Sequence, residues 1–100
     1  MSAYIIVEVD VKDPVKYEDY KKLTPSSIAA YGGRFIVRGG KAELIEGTQH
    51  PNRIVVLEFE NSEKAKAWWN SPEYNEAKKL RHATAESRMI LVEGIKSNVA

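Results

Sequence analysis

Apolar residues are concentrated in three separate stretches of the chain. Residues 4–11 (YIIVEVDV) place isoleucine or valine at every second position, and residues 53–60 (RIVVLEFE) and 88–93 (RMILVE) share this β-branched content. The period of two in the first stretch and the β-branched content of all three predict β-strands. Residues 34–38 (RFIVR) predict one further strand of the same kind.

Two glycines follow this shorter strand and change its expected path. Gly39-Gly40 suits a bulge or a bend, and residues 41–46 can continue the strand beyond it. Residues 47–52 contain Gly47 and Pro51 and predict a polar turn before the next strand.

A helical stripe lies between the first two strands. Asp13-Pro14 is typical of an N-cap followed by the first helical residue, and Gly32-Gly33 is typical of a helix end. Pro25 lies inside the stripe, so we expect a kink or a restart there, with Thr24 as a second cap. The residues that recur at spacings of three and four are Tyr17, Tyr20, Thr24, Ile28 and Tyr31.

A second helical region precedes the last strand. Asn61 or Ser62 can cap its start, and Ser71-Pro72 is a further cap-and-proline signal that predicts a restart running to about Ala85. Capping is the expected role of Ser71. The residues after Gly94 are expected to fray.

The resulting order is β, α, β, β, α, β. It predicts a ferredoxin-like α+β fold, a four-stranded antiparallel sheet with helices on one face, in a single domain that spans residues 1–100. Two helical regions cover only one face of the sheet, yet both faces of the predicted strands carry apolar residues. Ile6 and Val56 lie on the face opposite the helices, beside Glu8 and Glu58. The pattern therefore predicts a homodimer through sheet-to-sheet packing.

Composition narrows the classes of function. The 100 residues are 43% hydrophobic, carry a net charge of +1 and include no cysteine. Balanced charge argues against a nucleic-acid-binding surface, and the lack of cysteine excludes disulfides and thiolate metal sites. No apolar run reaches the length of about 18 residues that spans a membrane. We expect a cytoplasmic protein with no membrane or nucleic-acid partner.

Several short motifs together resemble one family. They are Tyr31 to Gly40 (YGGRFIVRGG), Glu46-Gly47, Pro51 with Arg53, Glu58-Phe59, and Ala67 to Tyr74 (AWWNSPEY), followed by Arg81. The pattern, from Tyr4 to Gly94, resembles the family named domain of unknown function 1330. This resemblance implies a dimeric α/β-barrel, in which two ferredoxin-like subunits pack sheet against sheet. It implies no particular reaction, although relatives in the superfamily include cofactor-free monooxygenases, lactone isomerases and haem-binding enzymes.

Common catalytic and cofactor motifs are missing from the sequence. His50 and His82 are the only histidines, and their spacing predicts no metal or haem site. The glycines between Gly33 and Lys41 lack the spacing of a phosphate-binding loop. We expect no cofactor.

Arginines and aromatic residues supply the candidate site. Arg34 and Arg38 are expected on one face of their strand, about 13 Å apart, where they can pair with Glu8 and Glu58 or hold a ligand. Arg81 follows Tyr74 by seven residues on the sheet-facing stripe of the late helix. A guanidinium there needs an acid such as Glu58, a carbonyl or an anionic ligand. The candidate ligand-binding residues are Tyr20, Arg38, Glu58, Trp68, Tyr74 and Arg81.

The sequence leaves two classes of function open. The first is a site in each subunit for a small aromatic or carboxylated molecule, with a cofactor-free monooxygenase- or isomerase-like enzyme as a catalytic form of it. The second is a non-catalytic structural homodimer whose charged residues only satisfy one another. A roomy, partly apolar cavity beside Arg81 would favour the first.

Overall fold

The computed structural model describes residues 1–95, which build one four-stranded antiparallel sheet. The order across the sheet is β2-β3-β1-β4, and each neighbouring pair is antiparallel. Apart from Ile95, the predicted frayed end after Gly94 lies outside the described residues. The strands are β1 (Ala3–Val11), β2 (Arg34–Arg38), β3 (Arg53–Phe59) and β4 (Ala85–Glu93).

Three helices begin at the predicted capping residues. Asp13 accepts a hydrogen bond from the backbone of residue 16, and Asn61 and Ser71 do the same for residues 64 and 74. The cap at Ser71 divides the second helical region in two, as predicted. The helices are α1 (Pro14–Ala30), α2 (Ser62–Trp69) and α3 (Pro72–Thr84).

The core lies between the helices and one face of the sheet. On β1, Ile5, Val7 and Val9 are at most 4% exposed, whereas Ile6 between them is 38% exposed. The helices cover only one face of the sheet, and the other face is uncovered in the single chain. We call this second surface the open face, and its exposed apolar residues are Ile6, Val37, Ile90 and Val92.

α1 continues unbroken through Pro25, so the predicted restart with Thr24 as a second cap is wrong. Proline has no N–H to donate to the carbonyl of Lys21, four residues earlier. Two side chains reach that oxygen instead: Arg38 Nη2 donates at 2.7 Å and Thr24 Oγ1 at 3.4 Å. The helix persists because these donors replace the missing backbone hydrogen bond.

The expected extension of β2 through residues 41–46 is also wrong. β2 ends at Arg38, and residues 39–52 form a loop without helix or strand. Gly39 begins this loop with a φ of +71°, a left-handed conformation that favours glycine. The glycine pair therefore ends the strand rather than bending it.

A bulge inside β2 changes which side chains share a face. Phe35 lies opposite Leu57 and Val37 lies opposite Val56, so Ile36 is an extra residue in the strand. An extra residue reverses the alternation beyond it. Arg34 and Arg38, expected on one face, consequently lie on opposite faces: Arg34 on the open face and Arg38 beneath the helices.

β4 begins at Ala85, directly after α3, rather than at Arg88 as predicted. The three added residues include Ser87, which faces the helices. In the described part of the chain, none of the helices has the length and apolar character needed to cross a membrane.

Candidate functional site

Arg81 lies on the buried stripe of α3. Tyr74, Ala77, Arg81 and Thr84 recur at spacings of three and four and face the sheet, as the sequence predicts. Arg81 is only 3% exposed. A guanidinium stays charged at any physiological pH, so this helix holds a permanent positive charge inside the protein.

Neutral groups hold the guanidinium of Arg81. Its Nε donates to the hydroxyl of Tyr74 at 3.2 Å, and its Nη1 donates to Ser87 Oγ. Its Nη2 lies 3.3 Å from His82 Nε2, so the imidazole accepts through that nitrogen when it is neutral. Burial, Arg81 and Lys78 all lower the pKa of His82 from its ordinary value of 6.5, which favours this neutral form.

The ion pair between Arg81 and Glu58, one of the expectations left open, does not form among the described residues. Glu58 lies on the open face, where Arg34 Nε donates to Oε1 at 2.7 Å and Arg34 Nη2 lies 2.6 Å from it. The hydrogen bond from Arg34 lowers the pKa of Glu58 below its ordinary value of 4.5. The carboxylate predicted for Arg81 is thus engaged on the other side of the sheet.

Tyr74 connects Arg81 to α1. The hydroxyl oxygens of Tyr20 and Tyr74 are 3.1 Å apart, and Tyr74 is completely buried. Burial, reinforced by Tyr74, raises the pKa of Tyr20 above its ordinary value of 10.0. Tyr20 therefore stays protonated, and the two hydroxyl groups lie behind the guanidinium.

A cavity of about 550 Å³ opens beside Arg81, between β4 and the helices α2 and α3. This volume is within the range of small-molecule sites. Its walls are mostly apolar, and none of the residues that line it is acidic. The lining residues are Ile5, Ala65, Lys66, Trp69, Arg81, His82, Ala85, Ser87, Met89 and Leu91.

The two adjacent tryptophans have different roles. Trp68 is 1% exposed, donates from Nε1 to Ser27 Oγ at 3.2 Å, and packs on Tyr74 with ring centroids 4.1 Å apart. Trp69 is partly exposed and lines the cavity. Trp68, the sequence-based candidate, supports the site from the core, and Trp69 supplies the ring at the cavity wall.

Positive charge gathers at this end of the molecule. Lys78 Nζ lies 3.9 Å from the centroid of the Trp69 ring, a cation–π contact. Burial and the nearby Arg81 lower the pKa of Lys78 below 10.5. Lys66 lines the cavity from α2. The local field consequently favours an anion over a cation.

The structure brings together four of the six sequence-based candidates: Tyr20, Trp68, Tyr74 and Arg81. Of the other two, Glu58 is separate from this group, whereas Arg38 lines a small hollow beneath α1 together with Tyr20 and Trp68 but does not line the cavity beside Arg81. Glu58 lies on the open face, and Arg38 lies beneath α1 on the far side of the core, near the edge of the sheet opposite β4.

Of the six sequence-based candidates, only Arg81 lines the cavity. Trp69 and His82 each stand beside a predicted candidate, and helical spacing alone did not single them out. Ser87 was missed because β4 was predicted to start one residue after it, and Met89 carried no signal beyond the strand pattern. Among residues 1–95, no three histidine, aspartate or glutamate side chains are grouped to hold a metal ion.

Solved structures with the same architecture are only distantly similar in sequence. A protein of unknown function from Rhodopseudomonas palustris has a TM-score of 0.79 at 18% identity, over 95% of this chain and 83% of that one. A dimeric ferredoxin-like protein of unknown function from Jannaschia sp. CCS1 has a TM-score of 0.71 at 11% identity, over 94% and 100%. SnoaB, a cofactor-independent oxygenase from Streptomyces nogalater, has a TM-score of 0.65 at 14% identity, over 97% and 96%.

These likenesses confirm the ferredoxin-like fold and carry no statement about activity. No curated protein matches the chain at a significant level. The family described as domain of unknown function (DUF1330) matches residues 2–95. The chain belongs to this family, which confirms the resemblance seen in its motifs.

Proposed function

We propose that this DUF1330 protein binds a small organic anion, a carboxylate on a flat apolar body, in the cavity beside Arg81. The observation that carries the proposal is the buried guanidinium of Arg81. It has only neutral partners among the described residues, and it borders a cavity large enough for a ligand. Burying an unpaired charge is costly, and a carboxylate on the ligand offsets that cost.

The number of donors on Arg81 favours a carboxylate. A guanidinium has five N–H groups. Tyr74, Ser87 and His82 engage one each, on Nε, Nη1 and Nη2 respectively. One N–H then remains on each terminal nitrogen, and such a pair matches the two oxygens of a carboxylate.

The rest of the cavity favours a flat apolar body on the ligand. Trp69 offers an aromatic ring, and Ile5, Met89 and Leu91 form an aliphatic wall along the sheet. Aromatic rings stack or meet edge to face at such surfaces. The inferred ligand class is therefore aromatic or cyclic monocarboxylates.

Calorimetric titration with benzoate and related aromatic carboxylates tests this proposal. We expect saturable binding to the protein and an affinity at least about tenfold lower in Arg81→Met, because a charge-assisted pair is lost. The matched control is Arg34→Met, the same substitution on the open face, which should bind normally. Benzamide, which lacks the charge, should bind more weakly than benzoate.

Two results would overturn the proposal. One is equal affinity of the folded Arg81→Met variant for the carboxylates that bind the wild type. The other is the absence of binding across the whole panel, which would favour a non-catalytic structural homodimer.

Catalysis by a cofactor-free oxygenase- or isomerase-like route is the second candidate function. His82 lines the cavity, and its lowered pKa favours the neutral imidazole, whose Nε2 accepts a proton from a bound substrate when its hydrogen bond from Arg81 is broken. A cofactor-independent oxygenase shares the fold. His82→Asn separates this candidate from simple binding: turnover of any substrate found should be lost while its binding persists.

We also propose that a second copy of the chain covers the open face, sheet against sheet. Four apolar side chains of this face, Ile6, Val37, Ile90 and Val92, are 37–44% exposed. The charges on the face include both signs, as in the Arg34–Glu58 pair, which suits self-complementary packing. The Jannaschia protein of the same fold is dimeric, which supports the proposal.

Light scattering with size-exclusion chromatography tests the dimer. Ile90→Asp places an unpaired charge in the proposed interface and should yield monomers. Val15→Asp is the matched control, because Val15 is 80% exposed on α1, away from the sheet, and this variant should remain dimeric. A monomeric wild type at micromolar concentration would contradict the proposal.

A further inference from the structure

A narrow hollow runs beneath α1 on the side of the core that faces β2 and β3. It holds about 20 Å³, roughly the space of one water molecule. Three cationic side chains, Lys21, Arg38 and Arg53, line it, and no acidic residue does. The hollow is too small for an organic ligand, so any anion that these charges attract must sit at its mouth.

Arg53 has an unmet hydrogen-bonding capacity. Its Nε is buried and has no partner among the described residues. A buried donor without an acceptor is costly, so such groups in native proteins usually meet water or an ion. The guanidinium is also oriented, because its Cζ lies 5.9 Å from the centroid of the Tyr17 ring.

Gly39 makes room for this guanidinium. A Cβ atom built on Gly39 would collide with Arg53 Nη1, and the φ of +71° already restricts the position to glycine. The sharp end of β2 thus brings backbone and guanidinium together at one corner of the sheet.

Arg38 lies on the same face as Arg53. It is opposite Val55 in the register, which makes it a diagonal neighbour of Arg53, within reach of a long side chain. Arg38 is itself held in place, with Cζ 4.3 Å from the Phe35 centroid and Nη2 bonded to the Lys21 carbonyl. One of its five donors is used there.

Opposing charge is scarce at this corner. Lys21 is paired with Glu18, with Nζ and Oε2 2.9 Å apart. Neither Arg38 nor Arg53 has a carboxylate within ion-pair distance in the part of the chain that the structure describes. Arg53 acts on Glu18 only at longer range, where it adds to the lowering of the pKa of that carboxyl. Both guanidinium groups are therefore without a carboxylate in direct contact among the described residues, and Arg53 has a buried donor without a partner.

We propose that Arg38 and Arg53 form a second anion site, which binds a phosphate group at the mouth of the hollow. A phosphate has enough acceptor oxygens for donors from both arginines, and its negative charge balances theirs. The site is separate from the cavity at Arg81, because the hollow meets that cavity only at the side chain of Met89. The proposal does not depend on the proposed function.

Nuclear magnetic resonance tests this site with inorganic phosphate as the probe, at constant ionic strength. The Nε–H resonance of Arg53 should shift saturably as phosphate is added. Arg53→Lys and Arg38→Lys keep the charge and remove the planar fork, and each should weaken phosphate binding about tenfold. Arg34→Lys is the matched control, because Arg34 lies on the same strand but on the opposite face, and it should leave binding unchanged.

The variant Arg81→Met, which removes the buried charge beside the cavity, distinguishes the two sites. Phosphate binding that persists in Arg81→Met and weakens in Arg53→Lys supports the second site. Binding that is lost in Arg81→Met, or an Arg53 resonance that does not move in the wild type, overturns it. If Arg53→Lys fails to fold, the wild-type resonance and the Arg38→Lys variant still decide the outcome.

Discussion

Two arginines on opposite faces of the sheet differ in their burial and in the charge of their hydrogen-bonding partners. Arg81 is 3% exposed and is bound by a tyrosine, a serine and a histidine. The Arg34 side chain is 75% exposed and is bound by the carboxylate of Glu58. Among residues 1–95, the buried arginine thus lacks the negative partner that the exposed one has.

This contrast distinguishes Arg34, whose charge is paired within the protein, from Arg81, whose charge is available to a ligand. In the single chain, an ion pair with a solvent-exposed arginine contributes little to stability and needs no further explanation. A buried cation with neutral partners is expensive for the free protein. Such an arrangement is explained when a ligand supplies the missing negative charge, and three predictions test this explanation in order of decreasing effect.

The largest effect is expected from removing the support behind Arg81. Tyr74→Phe deletes the hydroxyl that accepts from Arg81 and contacts the hydroxyl of Tyr20. Two buried polar groups then lose a partner, so the free energy of unfolding should fall by about 1–3 kcal/mol in urea denaturation. Carboxylate binding should weaken as well, because Arg81 is less well oriented.

The matched control for this change is Tyr31→Phe. Tyr31 also donates a hydroxyl hydrogen bond, to Glu73 Oε1 at 2.8 Å, but does so at the surface. This variant should unfold at nearly the same urea concentration as the wild type. Equal effects of the two variants on the free energy of unfolding would show that burial around Tyr74 does not determine the loss of stability.

A smaller effect is expected from pH at His82. Its folded-state pKa is lowered, first by burial and then by Arg81 and Lys78, so the free protein resists protonation there as pH falls below 6.5. A bound carboxylate neutralises part of that positive charge and raises the pKa, so binding takes up a proton. Affinity should therefore rise about threefold to tenfold between pH 7.5 and pH 5.5 for a carboxylate that stays ionised.

Variants of the two histidines test the source of this pH dependence. His82→Asn should bind with an affinity that is nearly constant over the range. His50→Asn, which changes the exposed histidine of the 39–52 loop, should keep the wild-type dependence. A pH profile that His82→Asn leaves unchanged would exclude His82 as the titrating group.

The smallest effect is expected from the exposed pair. Arg34 lowers the pKa of Glu58, so the stability that this pair contributes is present above pH 4.5 and is lost as pH falls through the folded-state pKa. Arg34→Met should lower the thermal midpoint by no more than about 8 °C at neutral pH. The difference from the wild type should shrink in acid and in high salt. A large decrease in the thermal midpoint that does not depend on salt would show that the Arg34–Glu58 pair is important for stability, which would contradict the contrast with Arg81.

Local signals in the sequence were sufficient for much of the fold. Asn61 and Ser71 were predicted as caps from residue type and spacing alone, and both cap helices. The stripe from Tyr74 to Arg81 was predicted from helical periodicity, and it places Arg81 inside the protein. These features depend on neighbours within one helical turn, which a single sequence contains.

The errors involve contacts between residues that are distant in the chain. Pro25 does not break α1, because Arg38 from the next strand reaches the carbonyl of Lys21. The face on which Arg38 lies depends on the bulge at Ile36, which is defined only by pairing with β3. The cavity wall likewise combines β4 with two helices, and periodicity within any one of them could not distinguish Trp69 from Trp68.

The bulge in β2 makes the hydrogen bonding of α1 depend on how β2 pairs with β3. If Ile36 paired regularly with Val56 and the bulge were lost, Arg38 would move opposite Ile54 and turn to the opposite surface of the sheet. The Lys21 carbonyl would then lose its shorter hydrogen bond at the one position of α1 where proline has removed the backbone donor. A shift of one residue in the pairing of β2 would thus weaken the turn of α1 around Lys21, which lies fifteen residues before Ile36 in the chain.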